Sequence, residues 1–337
     1  MTEVKKRRGF FVTLWRLLKM IGFLARLLVM VAGSWIVLSR LLMPRRLPLP
    51  HALGGERRTF GFNGLELSYY VSGEGKPLVL LHSINAAASA YETKPLYDYF
   101  AASRRVYALD LPGFGFSSRP DIVYSPRLYT DAVLAFVRLV AQTDGPADVV
   151  ALSLSSEFAA RAAEESPELF RSLTLISPTG FGRRVRSRGS DALLGVLQAP
   201  LWSQALYDLL TTKRSIRFFL NMLFASRRTD ENLAAYGYLT ARQPGARFAP
   251  LYFISGKLFS ADIRQIYDRL NLPVLVIYNR DPFAGYEALS AYKERPNWRL
   301  VRIEGTRGLP HFERSRETCA ALEAFLQDYA MPHTSAS

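Results

Sequence analysis

The chain has 337 residues, 49% of them hydrophobic and 21% charged, which is enough apolar content for a packed core and too much for a disordered chain. Its one cysteine, Cys319, excludes an internal disulfide, and the sequence has no cysteine–histidine cluster that could hold zinc. The net charge of +14 is uneven: residues 1–46 carry ten Lys and Arg against Glu3 alone, for +9, and the rest of the chain carries only +5.

The basic segment is also the most apolar one. From Phe10 to Met43 the chain reads FFVTLWRLLKMIGFLARLLVMVAGSWIVLSRLLM. Its longest charge-free part, Leu27–Ser39, is shorter than the ~20 residues needed to span a bilayer, but Met20–Ser39 with Arg26 inside is long enough. At 100° per residue, Arg8, Arg16, Lys19, Arg26 and Arg40 fall within about 120° of one face. A helix in the headgroup plane and a spanning helix with snorkelling arginines both fit that pattern. Residues 1–46 are therefore expected to be a membrane-associated helical segment. A bacterial-type inner membrane or another single-pass or peripheral attachment would suit it. Positive charge flanks both ends, so no membrane side is assigned. Leu, Phe and Val interleave with the basic residues, which argues against nucleic acid as a partner. The Pro- and Gly-rich stretch that follows makes 47–57 a linker.

In the body, short apolar strands alternate with helices. The strands are LELSYYV (66–72), PLVLLH (77–82), RRVYALD (104–110), DVVALS (148–153), LTLIS (173–177), PVLVIY (273–278) and RLVRIE (299–304). Several are continuous apolar runs, as central parallel strands covered on both faces require. Helix-period segments such as 129–142 lie between them. The pattern is α/β, a doubly wound and mostly parallel sheet. Residues 58–184 form its first part and 269–330 its second, with a tail at 331–337. The interval 185–268 is too long for one crossover. Its helical spacing in 192–210 and 215–224 predicts an inserted helical cap over the C-terminal edge of the sheet, where ligands bind.

Four stretches carry chemistry. LVLLHSINAAAS (78–89) and LDLPGFGFSS (109–118) are loops that follow strands. VVALSLSS (149–156) turns from strand to helix through Ser153, between the small residues Ala151 and Ser155. RIEGTRGLPHFER (302–314) follows the last strand. In this order and spacing the chain resembles the α/β-hydrolase family, over roughly residues 58–330. The resemblance implies an α/β-hydrolase fold with Ser153 as nucleophile at the elbow and Leu154 offering a backbone N–H to an oxyanion. It implies a second donor from the His82-Ser83 loop, the N–H of Ile84, with the Asn85 side chain as a further donor or an exposed loop residue. Asp281, after the penultimate strand, is the acid or a turn-forming Asp-Pro. The family's catalytic histidine position is Gly308 here, and His311 falls three residues later. His311 serves as base only if its loop is re-routed to within about 3 Å of the serine oxygen.

Two functions follow. One is a membrane-associated serine hydrolase, esterase- or lipase-like, acting on an ester or related acyl bond of an apolar or lipid-like substrate. The other is a catalytically inactive binding or scaffold protein of the same fold at the membrane. No cofactor is implied, because phosphate-loop motifs are missing and GFGF at 113–116 does not fit G-x-G-x-x-G.

Overall fold

The computed structural model describes residues 2–183 and 189–328, with side chains from Trp15 onward. The expected start of the cap at 185 and the tail at 331–337 lie outside the described residues. Eight strands form one sheet: β1 (Glu56–Phe62), β2 (Leu65–Ser72), β3 (Pro77–Leu81), β4 (Arg105–Leu109), β5 (Ala147–Leu152), β6 (Phe170–Ile176), β7 (Val274–Tyr278) and β8 (Trp298–Arg302). Their order is β1-β2-β4-β3-β5-β6-β7-β8. β3 to β8 run parallel, β2 pairs antiparallel with both neighbours, and β1 closes the edge.

Helices cover both faces, which explains why the central strands read as unbroken apolar runs. In β3, Val79 and Leu81 join a core with α3 (Pro126–Asp144), α4 (Ser155–Glu165) and α10 (Ile263–Arg269). Leu78 and Leu80 face the other core, with α2 (Lys94–Phe100) and α12 (Ser315–Asp328), where Cys319 is fully buried. A four-residue helix, α11 (Pro310–Glu313), precedes α12.

The chain leaves β3 toward β4 and leaves β5 on the opposite side. The topological switch therefore falls between β3 and β5, where the loops after the two strands flank one crevice. Above it, among the described residues, stand five helices: α5 (Asp191–Gln198), α6 (Ser203–Leu210), α7 (Lys213–Leu223), α8 (Glu231–Ala241) and α9 (Phe248–Ile254). The expected helical run 192–210 is two helices because Pro200, lacking an N–H, breaks it. α10 packs on α4 of the core, with an Arg161–Asp262 ion pair of 2.6 Å at that junction, so the excursion of the cap ends before α10.

The N-terminal segment is one 41-residue helix, α1 (Thr2–Leu42), and its stretch Trp15–Leu42 is long and apolar enough to cross a membrane. Its last turns dock on the cap. Trp35 Nε1 donates to the Ala205 carbonyl at 2.8 Å, and Ser39 Oγ donates to Asp208 Oδ2 at 2.5 Å. Arg45, just past the helix, holds both Asp208 oxygens at 2.7 Å, while the fully buried Arg242 reaches Oδ1 at 3.0 Å. The two guanidinium groups and the hydroxyl compensate the burial of the Asp208 charge.

Candidate active site

Ser153 follows β5 directly and has φ +50°, a left-handed conformation that costs a non-glycine residue on the order of 1–3 kcal/mol. The turn is fixed from both sides: the Ser153 N–H donates to the Ile176 carbonyl at 2.9 Å, and the Ser156 N–H donates back to the Ser153 carbonyl at 3.1 Å. Small flanking residues make this sharp turn possible. Ser155 also has a task that glycine could not perform, since its Oγ donates to the His82 carbonyl at 2.5 Å and ties the elbow to the loop after β3.

That loop is built around Glu92, which lies in a short 3-10 turn, Ala90–Thr93. The Ser83 N–H donates to Glu92 Oε2 at 2.9 Å. Asn85 Nδ2 donates to Glu92 Oε1 at 2.6 Å and to Ser83 Oγ at 2.9 Å, and Asn85 Oδ1 accepts from the Ala87 N–H at 2.8 Å. The Asn85 amide is thus committed to shaping its own loop, which corrects the expectation of an oxyanion donor there. Ser83 likewise belongs to the loop scaffold. Burial raises the Glu92 carboxyl above the ordinary carboxylate range, and its hydrogen bonds from Ser83 and Asn85 oppose that shift. His82 is fully buried and serves structure: its Nδ1–H donates to the Ser83 carbonyl at 2.6 Å and its Nε2 accepts the Leu111 N–H at 3.0 Å. Desolvation lowers its pKa to about 4, so the ring is neutral.

Two amides remain for a ligand. Ile84 and Leu154 are buried beside Ser153, and among the described residues neither N–H donates to a protein acceptor. A cavity of about 270 Å³ adjoins them, lined by Ser153, Ile84, Leu154, Glu92, Asp281, Gly308 and apolar side chains of the cap such as Ile216, Phe219 and Leu223. The neighbouring D-x-P-G loop is held by Asp110, which accepts from the Ala90 and Phe116 N–H groups. A Cβ at Gly115, whose φ is +52°, would collide with that carboxyl at 1.9 Å, so glycine is required there.

Asp281 lies on the cavity wall, its Oδ1 accepting from the Phe283 and Ala284 N–H groups at 2.7 and 3.1 Å. A Cβ built on Gly308 would stand 3.0 Å from Asp281 Oδ2 and 2.5 Å from Leu223 Cδ2. Position 308 therefore faces the carboxylate, and Leu223 at the end of α7 fills the space beside it.

His311 takes no part in the wall, which corrects the expectation of a re-routed base. The ring is fully buried, and its Nε2–H donates to the Glu92 backbone carbonyl at 2.8 Å. Desolvation lowers its pKa to about 4, so it stays neutral while it supports the segment that carries Glu92. The helical geometry of α11 turns residue 311 away from the cavity that residues 308 and 309 line. Sequence reasoning missed Glu92 and Leu223 altogether, since no local motif marks either.

A sequence model of the Alpha/beta hydrolase family matches residues 78–322. Among curated proteins, the chain is 27% identical over 184 residues to 2-hydroxymuconate semialdehyde hydrolase of Pseudomonas sp. (strain CF600), covering 54% of this chain and 60% of that protein. Among solved structures it is similar to a serine hydrolase involved in carbazole degradation, with TM-score 0.68, 19% identity and coverage of 81% and 99%. It is also similar to a membrane phospholipase A described as a bacterial virulence factor, with TM-score 0.65, 20% identity and coverage of 95% and 99%.

Proposed function

The chain belongs to the alpha/beta hydrolase family, and on that premise we propose that it is a membrane-anchored serine hydrolase that transfers the acyl group of an uncharged, apolar ester to Ser153. The observation that carries this reading is the strained Ser153 at the head of an apolar cavity, flanked by the two unengaged amides of Ile84 and Leu154. The strain keeps the hydroxyl above the sheet, and the amides suit the oxygen that becomes negative as a tetrahedral intermediate forms.

The proton acceptor is a carboxylate. Among the described residues, the cavity wall contains no histidine, lysine, arginine, cysteine or tyrosine, and its acids are Asp281 and Glu92. Glu92 is engaged with Ser83 and Asn85, so it holds the oxyanion loop. Asp281 faces the place of the family's histidine, takes the Ser153 proton through a bridging water and returns it to the departing alkoxide, and a second water then releases the acyl group as the acid. A carboxylate is a weaker base than imidazole, so turnover is slow by the standard of the family.

The same wall excludes anions. Curated relatives include hydrolases of 2-hydroxymuconate semialdehyde and of (acetamidomethylene)succinate, and the second name describes a carboxylate substrate. Among the described residues, no cation lines the cavity to receive such a group. At about 6 Å and an effective dielectric near 20, repulsion from one wall carboxylate amounts to roughly 3 kcal/mol, about 100-fold. Membrane attachment rests on α1, and the likeness to the membrane phospholipase A, at 95% of this chain, takes in part of that helix. The test compares p-nitrophenyl hexanoate with its ω-carboxylate analogue in wild type and Ser153→Ala. Wild type should hydrolyse the neutral ester about 100-fold faster, and the variant neither. Equal rates on both esters would remove the charge argument, and hydrolysis that survives in Ser153→Ala would remove the nucleophile.

The alternative, an inactive binding protein, is favoured by Leu223, which occupies the space beside Gly308 where a base would stand. In that case the cavity binds the neutral ester without turning it over.

A further inference from the structure

We infer that the cap enters the same lipid leaflet as the end of α1, so that the cavity takes its substrate from within the bilayer; this rests on the membrane-anchored reading above. Exposed apolar surface is concentrated on the cap. Outside α1, eight of the eleven exposed large apolar side chains among the described residues fall between Leu193 and Ile254. Soluble surfaces rarely gather such side chains on neighbouring helices without a partner.

The contacts of α1 set the depth of this surface. Met20–Ser39 is about 29 Å long at 1.5 Å per residue, close to the thickness of a bilayer's hydrocarbon core. Trp35 lies about 6 Å inside the end of that stretch, yet its indole N–H donates to the Ala205 carbonyl in α6. Arg40, one residue past the stretch, reaches the Leu201 carbonyl at 3.2 Å. The turn between α5 and α6 therefore sits level with residues 35–40. At that level Val196, Leu201 and Trp202 are exposed, at 57%, 58% and 40%. A helix that crosses lipid cannot carry this turn at its side without bringing these side chains to the boundary of headgroups and acyl chains. The Asp208 cluster makes the attachment stiff, because Ser39, Arg45 and Arg242 all hold one carboxylate.

α7 continues the surface. It contacts α6 and presents exposed Lys213 and Arg214 beside Phe218, a basic and aromatic combination that suits anionic headgroups above and acyl chains below. The next side chain, Phe219, is exposed at 42% and also lines the cavity at Ser153. An apolar ester can pass from the leaflet along this helix to the nucleophile without crossing water.

The test uses full-length protein in vesicles of phosphatidylethanolamine and phosphatidylglycerol, in a Cys319→Ser background. Single cysteines at Leu201→Cys and Phe218→Cys carry an environment-sensitive fluorophore. Val29→Cys reports α1, and Lys76→Cys, at the opposite edge of the sheet, reports water. All four labelled positions are exposed, so only the Cys319→Ser background touches the core. Labels at 29, 201 and 218 should shift to the blue and be quenched by nitroxide lipids, and the label at 76 should do neither. Quenching at 29 with 201 and 218 behaving like 76 would overturn the inference and leave the anchor standing. Absence of quenching at 29 would overturn the membrane-anchored reading, and the inference with it.

Discussion

Restoring an imidazole at position 308 tests whether the remaining parts of the site stand in working geometry. In Gly308→His the new Cβ meets Asp281 Oδ2 at 3.0 Å and Leu223 Cδ2 at 2.5 Å. Carbon atoms settle about 3.5–4.0 Å apart, so the leucine methyl must retreat by about 1 Å or more. Leu223 is half-buried at the end of α7, and Leu223→Ala removes the obstruction at less than the roughly 2–5 kcal/mol of a fully buried leucine. General-base assistance is worth about 10²–10⁴ in rate, which is about 3–5 kcal/mol of barrier. The assay is the initial rate on p-nitrophenyl hexanoate for wild type, Gly308→His, Gly308→His/Leu223→Ala, and the last with Ser153→Ala added. The double variant should exceed wild type by up to about 10²-fold, the single variant should gain less, and the triple variant should lose the gain. If the double variant keeps a wild-type circular dichroism spectrum and melting transition yet runs no faster than the triple variant, the elbow, the two amides and Asp281 are not aligned and the reasoning fails.

Asp281→Asn should lower hydrolysis of the neutral ester by about 10²-fold or more with little change in KM if Asp281 takes the Ser153 proton. Glu92→Gln keeps one of the two acceptors and should lower activity less than Glu92→Leu, which should weaken a trifluoromethyl ketone, a mimic of the tetrahedral state, far more than a plain ketone. Asp208→Ala leaves the buried Arg242 without its carboxylate and should cost about 3–5 kcal/mol in urea unfolding, against a small effect for Asp191→Ala in its exposed pair with Lys257. Burial raises Glu157 to about 7 in the fold, so the native state binds more protons than the unfolded one between about 4.5 and 7. Its stabilisation is complete below 4.5 and disappears as pH rises through 7, by up to about 3 kcal/mol. His82 and His311 act with the opposite sign, each adding stability as pH rises from about 4 through 6.5. Glu157→Gln keeps its partners Thr179 and Ser260 and should remove the falling component alone, read as a difference from wild type in urea midpoints at pH 5 and 7.5.

Features encoded in a contiguous stretch were legible in the sequence. The central strands announce themselves because burial on both faces demands unbroken apolar runs, and the turn at Ser153 because small residues must flank it. β1 was missed: ERRTFGF alternates weakly and lies half-exposed at the sheet edge, so its pairing with β2 rather than its own composition makes it a strand. Gly308 could be located because its loop keeps the family's spacing. What filled the vacancy could not be read, since Leu223 arrives from 85 residues earlier on another layer. Glu92 was silent for a similar reason: its role depends on a carboxylate folding back on the loop nine residues before it. Asp208 shows the limit most plainly, with Ser39, Arg45 and Arg242 converging on it from separations of 169, 163 and 34 residues.

The central claim is that Ser153 accepts an acyl group within the cavity. Intact-protein mass spectrometry after treatment with an uncharged alkyl fluorophosphonate tests it most directly, because the adduct is stable and needs no turnover. A single adduct should form, mapped by peptide analysis to Ser153, present in wild type, faster to form in Gly308→His/Leu223→Ala and absent in Ser153→Ala. An unmodified wild-type chain under conditions that fully label a reference serine hydrolase, or an adduct that persists in Ser153→Ala, would contradict it.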